Sequence, residues 1–472
     1  MTTLDAADAA PIARRARPRR RGARRDFIVG CIFWGIVFGV GIYWIVVWAK
    51  GGGDGGSGFR WQNTTEGLLS LGRITALLSG YLALVEILLL ARLPFLERQI
   101  GFDHLTNWHR WNGHAVLYLA LAHVVFSVWG FAREDFPPTN WLDEYWRLMT
   151  NGSFPGMITA TIGTVMLIAV LVTSLAVSRR HLNYELWYWI HLLAYAGIAL
   201  AWFHEIPVGN ELLPNVYAIS ADIWRATYAA TLALVLWYRL LWPTIQNYRF
   251  RMKVTEVIEE GPGVWSLRIS GRGLDRYGAL AGQFFFWRFL TKGFWYTQHP
   301  FSLSEAPKGD SFRITVKALG DHTAKFGRIK IGTSVVAEGP FGVFTSDTCS
   351  RDKVLMIAGG IGITPVRALL EEFRGDVITV YRALTEQDLV LSGEIDQLVA
   401  RNGGKVEYIV GDHATPEGQR LLTPEHLVEI VPDVREREIY ACGPPAMLRL
   451  IERTLERSGL HGRHVHIENF AI

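Results

Sequence analysis

Six apolar stretches govern what this chain can fold into. They cover residues 27–48, 68–91, 111–131, 157–177, 187–203 and 216–242 of a 472-residue sequence. A bilayer crossing takes about 20 such residues, so the first half reads as a bundle of six membrane helices. The composition supports that for only part of the chain. Half of the residues are hydrophobic, yet 19% are charged: too apolar for a soluble protein of this length, too charged for one embedded throughout. A membrane part joined to a soluble part is expected, and the length allows about three units of ordinary domain size.

The net charge of +4 comes largely from "RRARPRRRGARR" at 14–25. Beside an apolar segment such a run marks the cytoplasmic side; a nucleic-acid site is not expected. If all six segments cross, Arg92, Arg98, Arg179, Arg180, Arg239, Arg249, Arg251 and Lys253 lie on that same side. Both termini are then cytoplasmic, in a multi-pass protein of the cell membrane. The loop "GGGDGGSG" at 51–58 reads as a flexible exterior connection. Three cysteines supply no disulfide framework. "IVGC" at 28–31 imitates a lipoprotein cleavage box, but too few apolar residues precede Cys31 for a signal peptide, and it reads as the start of a retained helix.

Histidines within the apolar runs need a reason. His109 and His123 lie 14 residues apart on the third segment, His191 and His204 13 apart on the fifth. At 1.5 Å rise each pair spans about 20 Å of helix. On parallel helices His109 falls level with His191, and His123 with His204, as axial ligation of two haem irons requires. Fourteen residues return to within about 40° of one face, whereas thirteen miss by about 140°. The fifth segment therefore either winds more tightly, through 3₁₀ turns, or reaches its two sites from different flanks. His114 has no counterpart and reads as an ordinary hydrogen-bonded polar residue. Arg73, an expensive charge in the outer part of the second segment, would be satisfied by a haem propionate. Glu86, deeper in that segment, reads only as an acceptor for some buried donor.

After about residue 246 the pattern changes to short β-rich stretches with Gly/Pro turns, "VWSLRIS", "QFFFWRF" and "FRITVKAL" among them, expected to form a small antiparallel barrel. From Lys353, "KVLMIAGGIGITPVRALLEEF" and "DVITVYRAL" alternate strand, glycine turn, helix and strand, as a doubly wound α/β domain begins. The domains expected are thus a basic arm at 1–26, a membrane domain at 27–243, a barrel at 247–347 and an α/β domain at 352–472. In "HPFSLS", Pro300 fixes the backbone and Ser302 offers a donor to a flavin, while Lys317, Gly320 and Thr323 of "KALGDHT" are placed to cradle phosphate. The Gly-Gly-Ile-Gly turn lets backbone and helix N–H groups approach a pyrophosphate. Arg382 stands where NAD-preferring folds often carry an acid, which favours a 2′-phosphate and NADPH, although Glu386 and Asp388 are close by.

Taken together, His-Pro-Phe-Ser, "AGGIGITP", "CGPPAM" and the terminal "HIENF", following a helical domain with two histidine pairs, resemble the ferric reductase and NADPH oxidase superfamily. The resemblance covers nearly the whole chain after the basic arm. It implies two b-type haems in the membrane domain, an FAD barrel and an NADPH domain of ferredoxin-reductase type. The haem ligands would be His109, His123, His191 and His204. His299, Pro300, Phe301 and Ser302 would line the flavin, with Lys317, Gly320 and Thr323 near its phosphates. Gly359, Gly360, Gly362 and Thr364 would meet the dinucleotide, with Cys442 and Gly443 at a turn near the nicotinamide. Phe470 would stack on the flavin until nicotinamide displaces it, although Ala471 and Ile472 extend beyond it.

The expected activity is electron transfer from NADPH through FAD and the haems to an acceptor outside, near Arg73. Dioxygen giving superoxide and a ferric chelate are the two candidates. Ser127 stands where the family's animal oxidases tend to carry a further histidine. The alternatives are a haem-bearing subunit served by a separate reductase, and a membrane anchor for a flavin reductase. No calcium-binding loop of the D-x-[DN]-x-[DN]-G type occurs. Protein partners are not specified by the sequence.

Overall fold

A computed structural model describes residues 20–50, 63–134, 138–152, 154–175, 182, 184–209, 212, 218–320, 322–412, 415, 418, 422–457, 459–460 and 462–469. Phe470, Ala471, Ile472, the 51–58 loop, Arg179, Arg180 and most of the basic arm lie outside them. The chain forms two compact units. Among the described residues, one comprises Asp26–Leu96 and His104–Leu240; the other is chiefly residues 241–469, together with the short segment Glu97–Asp103.

The N-terminal half of the described chain is helical: α1 (Arg20–Lys50), α2 (Thr64–Leu89), α3 (Pro94–Ile100), α4 (Phe102–Ala132), α5 (Trp141–Thr150), α6 (Met157–Ser174), α7 (Tyr184–Val208) and α8 (Ala218–Val235). Five stretches among the described residues are long and apolar enough to cross a membrane: Phe27–Lys50, Thr64–Leu89, His104–Ala132, Met157–Ser174 and Leu186–Val208. The expected sixth, α8, falls short of them because Asp222 and Arg225, 3.3 Å apart in an ion pair, occupy its early turns. It continues through a π-helical stretch, Leu236–Leu241, into α9 (Trp242–Phe250).

Small residues let these helices meet backbone to backbone, since lipid-embedded helices associate by close packing rather than by hydrophobic exclusion. A Cβ on Gly163 of α6 would lie 2.6 Å from the Gly197 carbonyl of α7, and one on Gly197 would lie 3.0 Å from the Gly163 carbonyl. Gly72 of α2 likewise leaves room for Ser127 of α4. The amphipathic α5 was not anticipated. It is capped by Asn140, whose side chain accepts from the Asp143 N–H at 3.0 Å; it buries Glu144 and Leu148 and exposes Leu142 and Trp146. Glu144 is neutralised by Arg147 at 2.7 Å.

The second unit begins, after α9, with two three-stranded antiparallel sheets, ordered β1-β2-β5 and β4-β3-β6. The strands are β1 (Lys253–Gly261), β2 (Val264–Ser270), β3 (Phe284–Phe289), β4 (His299–Ser302), β5 (Ser311–Lys317) and β6 (Val335–Phe341). Isolated bridges Lys253–Ser334 and Leu303–Ile314 accompany the sheets. Phe285, Trp287, Phe289, Phe312 and Phe326 share one core. Alternation along β3 sends Phe285, Trp287 and Phe289 to one face, while Phe284 and Phe286 on the other are buried in a separate cluster with Phe341.

The remainder is a five-stranded parallel sheet ordered β11-β10-β7-β8-β9: β7 (Val354–Gly359), β8 (Val377–Ala383), β9 (Lys405–Val410), β10 (Glu438–Gly443) and β11 (Val465–Asn469). Its helices are α10 (Ile363–Leu370), α11 (Ser392–Asn402), α12 (Pro424–Ile430) and α13 (Pro445–Arg457). Separate apolar clusters line the two sheet faces, the doubly wound arrangement. Strand order reverses at β7, between β8 and β10, so the crevice at the carboxyl ends of β7 and β10 is the place for a ligand.

Candidate functional site

The four membrane histidines meet in the two pairs that their spacing demands. Ring centres of His109 and His191 are 5.9 Å apart, and those of His123 and His204 are 6.4 Å apart. A transition metal bound to an imidazole nitrogen at about 2 Å on each side places the ring centres about 6 Å apart. The residues therefore fit two iron centres, each between a pair of imidazoles. No 3₁₀ turn interrupts α7, which is α-helical from Tyr184 to Val208. His191 and His204 accordingly reach their partners from different flanks of one regular helix.

A metal-binding imidazole is oriented by what its other nitrogen touches. His109 donates from Nδ1 to Glu86 Oε1 at 2.8 Å. His123 donates from Nδ1 to the Gly72 carbonyl at 2.9 Å, with Ser127 Oγ 3.2 Å away. His191 Nδ1 lies 3.4 Å from Ser174 Oγ, and Trp187 stacks on its ring at 4.9 Å. In each of these three rings Nε2 is left for a ligand. Glu86, read from the sequence only as an acceptor for some buried donor, thus accepts from a member of the first pair. Among the described residues His114 bonds within its own helix, Nδ1 to the Arg110 carbonyl at 2.6 Å, as expected of an ordinary polar residue.

Around the second pair lies a cavity of about 440 Å³ lined by Arg73, Ser79, His123, Ser127, His204 and Glu205, among mostly apolar side chains. That is cofactor size. Arg73 thus stands at the level where the sequence put it. Glu205 was missed: its carboxylate accepts from Trp224 Nε1 at 3.0 Å and from the Tyr228 hydroxyl at 2.8 Å. The acid next to His204 in "FHEIP" was the available signal.

In the second unit, His299, Pro300, Phe301 and Ser302 form β4 and pair with Trp287, Phe286, Phe285 and Phe284 of β3. Ser302 is buried, and its hydroxyl has no hydrogen-bond partner among the described residues. An orphaned buried hydroxyl is the donor a flavin edge would use. His299 stacks on Phe301, ring centres 5.8 Å apart, and burial, reinforced by the nearby His322, pushes its imidazole down to about 4. The ring takes up a proton on unfolding between that value and 6.5. Its contribution to stability is complete above about pH 6.5 and is lost as pH falls toward 4. Thermal unfolding followed across that window should record the loss, and His299→Phe should flatten it.

The residues expected near the flavin phosphates make contacts within the protein. Lys317 forms an ion pair with Asp388 at 2.7 Å, which holds the Asp388 carboxyl below its usual range. The Thr323 hydroxyl accepts from the Leu319 and Gly320 N–H groups at 2.9 and 3.0 Å, so it shapes a turn.

The glycine turn is tightly packed. Gly360 adopts φ +52°. A Cβ on Gly362 would lie 2.4 Å from the Cys442 carbonyl, and one on Gly359 would lie 2.5 Å from Met447 Sδ. The turn and the Cys442-Gly443 end of β10 are thereby pressed together at the crevice. Thr364, buried at the start of α10, donates to the Ile361 carbonyl at 3.0 Å. Two expectations need correction. Cys442 is a residue of β10 and not of a turn; its side chain is fully buried in the sheet core. Arg382 is only 3% exposed and donates to the Gly418 carbonyl at 3.2 Å, because a central strand of this sheet is covered on both faces. Arg382→Ala should therefore lower stability by about 1–3 kcal/mol and weaken NADPH and NADH alike. A loss confined to NADPH would restore the phosphate role.

Comparison with known proteins agrees with this division. Residues 75–202 match the family model "Ferric reductase like transmembrane component", and residues 356–453 match "Oxidoreductase NAD-binding domain". The glycine betaine monooxygenase reductase subunit of Chromohalobacter salexigens is 30% identical over 185 residues, 36% of this chain and 50% of that protein. The ferredoxin reductase component of 3-ketosteroid-9-alpha-monooxygenase from Mycolicibacterium smegmatis is 28% identical, over 48% of this chain and 66% of that protein. The chain spans about half the length of the first relatives it matches. Among solved structures, the FAD/NAD-binding domain of nitric oxide dioxygenase from Vibrio cholerae aligns with a TM-score of 0.38 at 24% identity, over 47% of this chain and 98% of that one.

Proposed function

We propose that this chain, an oxidoreductase joining a ferric-reductase-like transmembrane domain to an NAD-binding domain, passes electrons from NADPH through FAD and two b-type haems to an acceptor across the membrane. In this reading six helices cross and both termini are cytoplasmic. The observation that carries it is the meeting of His109 with His191, and of His123 with His204, at about 6 Å inside apolar helices. Flavin takes two electrons as hydride and releases them singly, and haem passes one at a time.

The chain's own residues supply the rest. Gly359, Gly360 and Gly362 clear the crevice for a dinucleotide, and the Thr364 hydroxyl braces the turn. Ser302 offers a buried donor to the flavin edge. Glu86, Gly72 and Ser174 orient three of the four imidazoles. Arg73 supplies a cation for a propionate or an arriving anion beside His123 and His204. His123 and His204 would together hold one haem and leave its iron no open site, so an acceptor would be met at the cavity edge near Arg73.

Dioxygen, giving superoxide, is the preferred acceptor; a ferric chelate would use the same path. The purified protein, supplied with haem and FAD, should show a Soret band that NADPH shifts without any added reductase. Absence of the band would leave only a membrane anchor for a flavin reductase. A band that NADPH does not shift would favour a subunit served by another reductase. NADPH consumption under air, compared with consumption under nitrogen with ferric chelate and with superoxide dismutase as a control, decides the acceptor. Turnover only with the chelate would reverse the preference.

A further inference from the structure

We infer that Glu86 is a positioning residue that sets the two histidine pairs apart electronically, lowering the reduction potential of the iron held by His109 and His191. This rests on the reading that the pairs hold haem. The second nitrogens of the described ligands face different acceptors. At His109 the acceptor is a carboxylate, Glu86 Oε1, 2.8 Å from Nδ1. At His123 it is the neutral Gly72 carbonyl, with a hydroxyl beside it, and at His191 the nearest group is the Ser174 hydroxyl.

The carboxylate is built in rather than incidental. Asn112, one helical turn from His109, donates from Nδ2 to Glu86 Oε2 at 2.8 Å and to the Leu82 carbonyl at 2.9 Å. Gly113 keeps the space: a Cβ there would lie 2.8 Å from Glu86 Oε1. A carboxylate acceptor draws on the Nδ1 proton, makes the imidazole a stronger donor and stabilises ferric over ferrous iron. At the other pair the acceptor of His123 is neutral, and the cavity wall carries the cation Arg73 together with Glu205, whose carboxylate already accepts from Trp224 Nε1 and the Tyr228 hydroxyl. An electron arriving at His109–His191 is thereby pushed toward His123–His204.

Haem content is measured first, on the full-length protein in detergent. Fewer than two haems per chain would defeat the proposed function itself. With two present, an anaerobic redox titration resolves a lower and a higher one-electron step. Glu86→Gln keeps an acceptor oxygen and removes the charge. It should shift the lower step's equilibrium about tenfold or more toward the reduced form, about 59 mV, and leave the higher step in place. Glu86→Asp should keep most of the wild-type separation. If Glu86→Gln loses a haem, Asn112→Ala serves instead: it retains the carboxylate but frees it from its second donor, and should move the lower step downward. An unmoved lower step, or a shift of the higher one, overturns the inference.

Discussion

Replacing His123 with leucine is expected to halve the haem bound per chain and to abolish electron delivery to any external acceptor. Leucine fills the space of the imidazole but cannot bind iron, and His204, its ring centre 6.4 Å away, is left facing an apolar surface. The damage should stay local. His109 and His191 are the other pair, so one haem should remain, and NADPH should still reduce FAD at the wild-type rate. Haem extraction with pyridine and stopped-flow flavin bleaching measure the two halves of this expectation. Retention of both haems would show that His123 is no ligand.

Gly362→Val should act on the opposite half of the electron path. The new side chain would meet the Cys442 carbonyl within 2.4 Å and Gly443 Cα within 2.7 Å, both backbone atoms that do not yield as a flexible side chain would. The turn would be driven out of the crevice, and flavin reduction by NADPH should fall by a factor of about 100 or more, as expected when a binding geometry is displaced by about 1 Å. Flavin content, which depends on the β4 strand instead, should hold. Dithionite should still reduce the protein fully, which separates a blocked dinucleotide site from a collapsed fold. Flavin reduction at the wild-type rate would remove the turn from the dinucleotide site.

What the sequence made legible follows from the range over which its signals act. The histidine pairs were readable because 13 and 14 residues of helix translate directly into depth, and because imidazole in an apolar segment needs a partner. β1, β2, β3 and β5 were readable from alternation and turns. The acceptor of His109 was not, because Glu86 lies 23 residues away on another helix, and nothing local says which faces meet. Cys442 and Arg382 were misjudged for a related reason. Their strand ends were recognisable, but burial of both faces of the sheet hides which way a side chain turns, and Arg382 turned inward to Gly418. The helix Trp141–Thr150 escaped notice because ten residues are too few to register beside crossings of 18 to 29 residues.

The contact of Gly163 with Gly197 bears on speed as well as on assembly. With no side chain between them, the two helix backbones lie against each other, so the helix carrying His191 and His204 is braced along its length by a stiff neighbour. If the histidine pairs hold iron as proposed, a redox change would alter the preferred iron–nitrogen distance only slightly, and a braced scaffold would hold other displacements to a similar scale. Little then has to rearrange each time a charge arrives or departs. A bulky residue at either glycine would wedge the brace open and, under the proposed function, slow transfer between the two histidine pairs even with haem content unchanged.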